Sequence, residues 1–236
     1  MTALILLVLL VTAVGIPLIS LWLDRRFERN LEAGNADARL MSYKDVMIFL
    51  WSMTAVVLAG LFVSNIPFAA IGLHFSFSQS VLIGLGVTVI LLVVMVMQHL
   101  HLLKSPEAMA DVEATFTGSE GIRRFMPRNE TEYSRFNLVS ITAGITEEII
   151  FRGYILWALS LVMPIWAAAV LSLVSFVAAH AYQGISKALM GVVLTGAALT
   201  LITILSGSLL PAIILHIAID LNSNLICRLV NNKASA

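Results

Sequence analysis

Seven apolar runs decide what kind of fold is open to this chain. They lie near 2–23, 46–65, 79–98, 137–160, 164–182, 187–206 and 208–228. About 20 apolar residues cross a bilayer as a helix, and a helix satisfies its own backbone groups, as lipid requires. The sequence therefore predicts an all-α, polytopic transmembrane helical bundle of seven spans, give or take one. Composition agrees. Of 236 residues, 59% are hydrophobic and 12% charged, about half the charged share of a soluble domain. The net charge of zero gives no footprint for nucleic acid. The single cysteine, Cys227, excludes an internal disulfide and a multi-cysteine metal site. The chain reads as one membrane domain over 1–236, with N-terminal spans and loops over 1–135 and a core over 136–228. The first run lacks a basic n-region and outruns the ~7–15 residues of a signal h-region, so it is expected to stay as the first span.

Basic residues sort the loops. The first loop holds Arg25, Arg26, Arg29, Arg39 and Lys44, and the third holds Lys104, Arg123, Arg124, Arg128 and Arg135. The fifth has Lys187, and the tail has Arg228 and Lys233. The second, fourth and sixth loops have none. Cytoplasmic loops carry the excess of Lys and Arg, so the alternation predicts the N-terminus outside, the C-terminus in the cytoplasm and an odd number of spans. Short loops and small size suit a prokaryotic plasma membrane. In the third loop, Ser105-Pro106-Glu107 is a helix start, with Ser105 as N-cap. The basic, aromatic-flanked stretch Arg123 to Phe136 is expected either along the cytoplasmic interface or as a solvated connector.

The fourth run contains Glu147-Glu148-Ile149-Ile150-Phe151-Arg152. A charge at bilayer depth costs at least ~2.5–3.5 kcal/mol on insertion scales, so such residues are rare and usually functional. On a helix Glu148 and Arg152 share a face, in the favourable acid-first order. That pairing leaves Glu147 free, and an unpaired carboxylate in a poorly solvated site suits a general base. The bland reading is a polar clasp between helices. In the fifth run Phe176 and His180 are four apart, with small Ala178 and Ala179 allowing close approach; His180 alone could be an interfacial anchor. In the seventh, His216 and Asp220 repeat the spacing and Asn224 extends the stripe, with Asn222 nearby. Such a stripe faces protein or water, not lipid. A cavity lined by Glu147, His180, His216 and Asp220, open to the cytoplasm, satisfies all three helices. A rise of ~1.5 Å per residue puts Glu147 and His216 near the midplane and His180 nearer the cytoplasm, so tilt or a dipping fifth loop must bring them level.

Glu147-Glu148-x-x-x-Arg152, Phe176-x-x-x-His180 and His216-x-x-x-Asp220, in that order on successive helices, resemble the three motifs of the CPBP family, the type II CAAX prenyl endopeptidases and the Abi-like bacteriocin-processing and self-immunity proteins. The run from Thr142 to Gly153 is the closest stretch, and the resemblance covers about 136–228; the first three spans add only a compatible architecture. The resemblance implies an intramembrane endopeptidase reached from the cytoplasm, acting on a membrane-embedded or lipidated peptide in the bilayer, whether a CAAX-type prenyl protein or a bacteriocin precursor. Carried over residue by residue, Glu147 and His180 activate water, while His216 and the residue at 220 stabilise the oxyanion. Glu148, Arg152, Phe176 and Asn224 support the site. Eukaryotic-type relatives carry Asn where Asp220 stands, and many bacterial ones Asp. An ionised carboxylate repels an oxyanion, so Asp220 is expected to be protonated, to orient His216, or to bind a metal.

Family members are often described as metalloproteases. Glu147, His180, His216 and Asp220 could hold a divalent ion such as zinc, yet the chain has no HExxH pair, and a glutamate–histidine mechanism without metal uses the same residues. Two other functions fit buried polar groups: a catalytically idle immunity or scaffold protein, and a proton or metal transporter. No inverted repeat or paired broken helix is visible to favour transport.

Overall fold

The computed structural model describes residues 2–118, 120–184 and 187–234. The side chains of Lys187 and Lys233, counted above with the fifth loop and the tail, lie outside the description. Nine helices order the chain among these residues. They are α1 (Ala3–Glu32), α2 (Ala38–Val63), α3 (Gln79–Lys104), α4 (Pro106–Thr117), α5 (Glu120–Phe125), α6 (130–160), α7 (Ile165–Ala179), α8 (Lys187–Ser206) and α9 (Leu210–Ala234). Short 3-10 turns occupy Phe68–Ile71 and Ala181–Gln183.

Local chemistry sets several starts. The Ser105 hydroxyl accepts from Ala108 N at 3.2 Å with Pro106 in the first turn of α4, as its sequence predicts. Asn129 caps α6 through Glu132 N at 3.0 Å. Helix α6 is α-helical over Glu130–Glu147, π-helical over Glu148–Ile155 and α-helical again over Leu156–Ser160. Every residue of the π segment is buried. It forms the axis of the bundle, where Ile150, Phe151, Tyr154 and Ile155 pack with Ile5, Val8 and Ile16 of α1 and Val57 and Leu61 of α2.

Among the described residues five helices are long and apolar enough to cross a membrane: α1, α2, α3, α8 and α9. The chain is an integral membrane protein. The fourth and fifth expected spans differ from these five for physical reasons. Helix α6 carries charges that lipid would reject, and the other helices enclose them. Helix α7 has only 15 residues, about 22 Å at the helical rise. It ends at Ala179 and not at 182. The loops sort into two ends. At one, Arg39 Nε of the first loop donates to Arg124 O of the third at 2.9 Å, and the rings of Phe125 and Tyr182 meet at 6.2 Å, bringing in the fifth loop. At the other, Leu209 N donates to Gly72 O at 2.9 Å, joining the sixth loop to the second.

Part of the stretch Arg123 to Phe136 packs against the bundle, while Arg123, Arg128 and Arg135 stay exposed. Arg124 pairs with Asp24 at 3.5 Å and with Glu28. The Phe125 ring stands edge-on to Phe27, Tyr43 and Phe136, and Tyr43 Oη donates to its carbonyl at 2.7 Å. The aromatic residues that suggested a membrane surface are spent on packing α5 against α1, α2 and α6.

Candidate active site

Three helices and one turn place the polar residues. Glu147 ends the α-helical part of α6 and Glu148 opens its π segment, where the ladder widens to i→i+5 bonding. Short π stretches are often found at functional sites. One turn earlier on the same helix, Gly144 packs against α9. A Cβ there would stand 2.4 Å from Ile217 Cγ1 and 2.8 Å from Ile217 N. Glycine alone lets α6 and α9 come this close, one residue along α9 from His216.

Glu148 is fully buried and bonded twice. Its Oε1 accepts from Arg152 Nη1 at 2.9 Å and lies 2.7 Å from His216 Nδ1. The spacing argument anticipated Arg152 but not His216. Arg152 Nη2 donates to Gly196 O at 3.2 Å, its Nε to Thr200 Oγ1 at 3.4 Å, and the guanidinium lies 4.0 Å from the centroid of the Phe176 ring. In this buried network the charge is paired and each guanidinium nitrogen finds an acceptor, which makes it tolerable, while Glu148 Oε2 is buried without a hydrogen bond. Gly196 and Thr200 of α8 were missed in the sequence; four apart, they follow the same spacing rule as the motifs. So was Ser172, whose hydroxyl donates to Phe151 O at 2.6 Å.

Glu147 has no such partners. Its Oε2 is buried and makes no hydrogen bond, and it lies 4.0 Å from His216 Nε2. Asp220 Oδ2 lies 3.7 Å from the same nitrogen. His216 is thus held by Glu148 at Nδ1, with Nε2 left between the carboxylates of Glu147 and Asp220. His180 caps the C-terminus of α7. Its Nδ1 sits 2.8 Å from Phe176 O. A carbonyl only accepts, so Nδ1 carries the proton and Nε2 keeps the lone pair.

These groups face one cavity of about 390 Å³, lined by Glu147, His180, His216 and Asp220 together. The packing of the helices brings His180 to the same cavity as Glu147, His216 and Asp220, so the depth mismatch expected from the sequence does not separate them. The rest of the wall is mostly apolar and comes from unexpected places: Ile16, Leu23 and Phe27 of α1, and Phe49 and Leu50 of α2. The first two spans are therefore part of the site, not just a compatible scaffold. Asn224 lies apart from the other motif residues. It is buried and donates to Tyr133 O at 3.0 Å and Asn137 Oδ1 at 2.6 Å, clasping α9 to the start of α6 without lining the cavity.

The sequence left open a divalent ion on Glu147, His180, His216 and Asp220. Among the described residues no three His, Cys, Asp or Glu side chains form a group able to hold a metal ion. No step is derived through a metal.

Residues 130–222 match the family model for type II CAAX prenyl endopeptidases of the Rce1-like kind. This domain belongs to the CPBP family. No curated protein and no solved structure matches the chain. The CPBP domain so matched holds Glu147, Glu148, Arg152, Phe176, His180, His216 and Asp220. Asn224 falls just beyond it, as do the α1 and α2 residues that complete the cavity.

Proposed function

We propose that this CPBP protein is an intramembrane endopeptidase that hydrolyses a peptide bond by glutamate- and histidine-activated water. The observation that carries this reading is the unbonded, buried Oε2 of Glu147, beside His216 Nε2 in a cavity that His180 and Asp220 also line. A water there donates one hydrogen to Glu147 and another to the lone pair on His180 Nε2. Glu147 takes the proton as the water oxygen attacks the scissile carbonyl carbon. His216, protonated at Nε2, donates to the oxyanion that forms. The Glu147 proton then passes to the amide nitrogen, the C–N bond breaks, and a carboxylic acid and an amine leave. Asp220, whose Oδ2 lies 3.7 Å from His216 Nε2, holds His216 in register.

The apolar walls suit a membrane-associated peptide, of the CAAX-type prenyl or bacteriocin-precursor kind. The basic loops that meet beside the cavity favour entry from the cytoplasm, in a prokaryotic plasma membrane. The experiment is cleavage of candidate membrane peptides by protein in liposomes, wild type against Glu147→Gln. Loss of cleavage in the variant supports the reading. Cleavage that persists in Glu147→Gln removes it, and a wild type that cleaves nothing yet protects its host favours an idle partner protein.

A further inference from the structure

His180 stands just past the last residue of α7, its N donating to Val177 O at 3.0 Å and its O accepting from Gln183 N at 3.0 Å. The imidazole itself makes one hydrogen bond, from Nδ1 to Phe176 O, which leaves the ring free to swing about that contact. Two aromatic rings prevent this. Phe176 lies 4.6 Å away on one side, inclined by 50°. Tyr182 lies 6.2 Å away, inclined by 28°, in a stacked arrangement.

Tyr182 is in turn held from the third loop. Phe125 of α5 packs on its ring at 6.2 Å. Gly121 of α5 lies against its backbone, where a Cβ would stand 2.1 Å from Tyr182 O. Helix α5 is anchored by Arg124 to Asp24 and Glu28, by Arg39 Nε to Arg124 O at 2.9 Å, and by Tyr43 Oη to Phe125 O at 2.7 Å. A short helix outside the bundle axis thus reaches the imidazole through one tyrosine.

We infer that Tyr182 is a positioning residue for His180, and that α5 sets its place through Phe125 and Gly121. The inference rests on the base-assisting part assigned to His180 above. The ring of Tyr182, not its hydroxyl, does this: aromatic pairs have preferred geometries that stabilise beyond simple burial, which favours one rotamer of a ring with a single hydrogen bond. Tyr182 and Phe125 also line the cavity, so the positioning effect is the part that falls on kcat.

The test compares kcat and KM for Tyr182→Ala, Tyr182→Phe, Phe125→Leu and His180→Ala in liposomes. Misplacement of a reacting group by an ångström costs up to about 100-fold, so Tyr182→Ala is expected to lower kcat by about 10- to 100-fold, more than it changes KM. Tyr182→Phe restores the rate, and Phe125→Leu falls between them. Where Tyr182→Ala does not fold, the graded loss in Phe125→Leu carries the test. Modification of His180 by diethyl pyrocarbonate, located by mass spectrometry, is expected to quicken in Tyr182→Ala and not in Tyr182→Phe. The inference is overturned if Tyr182→Ala keeps the wild-type kcat, or if Tyr182→Phe falls as far as Tyr182→Ala. A His180→Ala variant that cleaves normally overturns instead the part given to His180.

Discussion

One carboxylate oxygen, Glu148 Oε1, binds both Arg152 Nη1 at 2.9 Å and His216 Nδ1 at 2.7 Å. It ties three helices together, because Arg152 continues to Gly196 and Thr200 of α8. Removing it strands a guanidinium that is 2% exposed. Loss of one partner of a buried pair costs about 3–5 kcal/mol. Glu148→Ala is expected to unfold the protein at a markedly lower temperature, and thermal unfolding in detergent measures it. Unchanged unfolding together with lost cleavage would make Glu148 catalytic and not structural.

Glu147 predicts the opposite pattern. Its buried Oε2 has no hydrogen bond to lose, so Glu147→Gln keeps or slightly raises thermal stability. Cleavage falls by at least the ~10²–10⁴-fold that general acid–base catalysis supplies. Stability and rate measured on one preparation separate the two neighbouring glutamates.

Gly144 tests the α6–α9 approach. Leucine there needs space already filled by Ile217, whose Cγ1 lies 2.4 Å from the Cβ position. Overpacking of this kind costs about 1–3 kcal/mol, and it moves His216 away from Glu147 and Glu148. Gly144→Leu is expected to lose both stability and cleavage, and Gly144→Ala to lose less of each.

Asn224 makes two hydrogen bonds to α6 and does not line the cavity. Leaving its buried partners unpaired costs about 1–3 kcal/mol. Asn224→Leu should therefore lower the unfolding temperature while kcat at a permissive temperature stays near that of wild type. A selective fall in kcat would return Asn224 to the site.

The lack of a ligand group among the described residues bears on metal dependence. Cleavage is expected to withstand phenanthroline and EDTA. Inhibition that added zinc reverses would require a rearranged site.

Much of this architecture was legible in the chain because lipid imposes simple rules. Apolar length gave α1, α2, α3, α8 and α9, and the i, i+4 rule paired Glu148 with Arg152 and His216 with Asp220. The π geometry at Glu148–Ile155 was not legible, since nothing in EIIFRGYI distinguishes i→i+5 from i→i+4 bonding. The early end of α7 escaped for a similar reason, because Ala181 and Tyr182 extend the apolar run without extending the helix.

Local periodicity thus determined which residues share a helix face, and the cost of charge in hydrocarbon determined that those faces point inward. Only the tertiary structure decided which faces meet. The hold of Glu148 on His216, the contact of Gly144 with Ile217, and the α1 and α2 walls of the cavity join residues far apart in the chain. Such pairings depend on how closely helices can approach, which is a property of the packed bundle and not of any one segment.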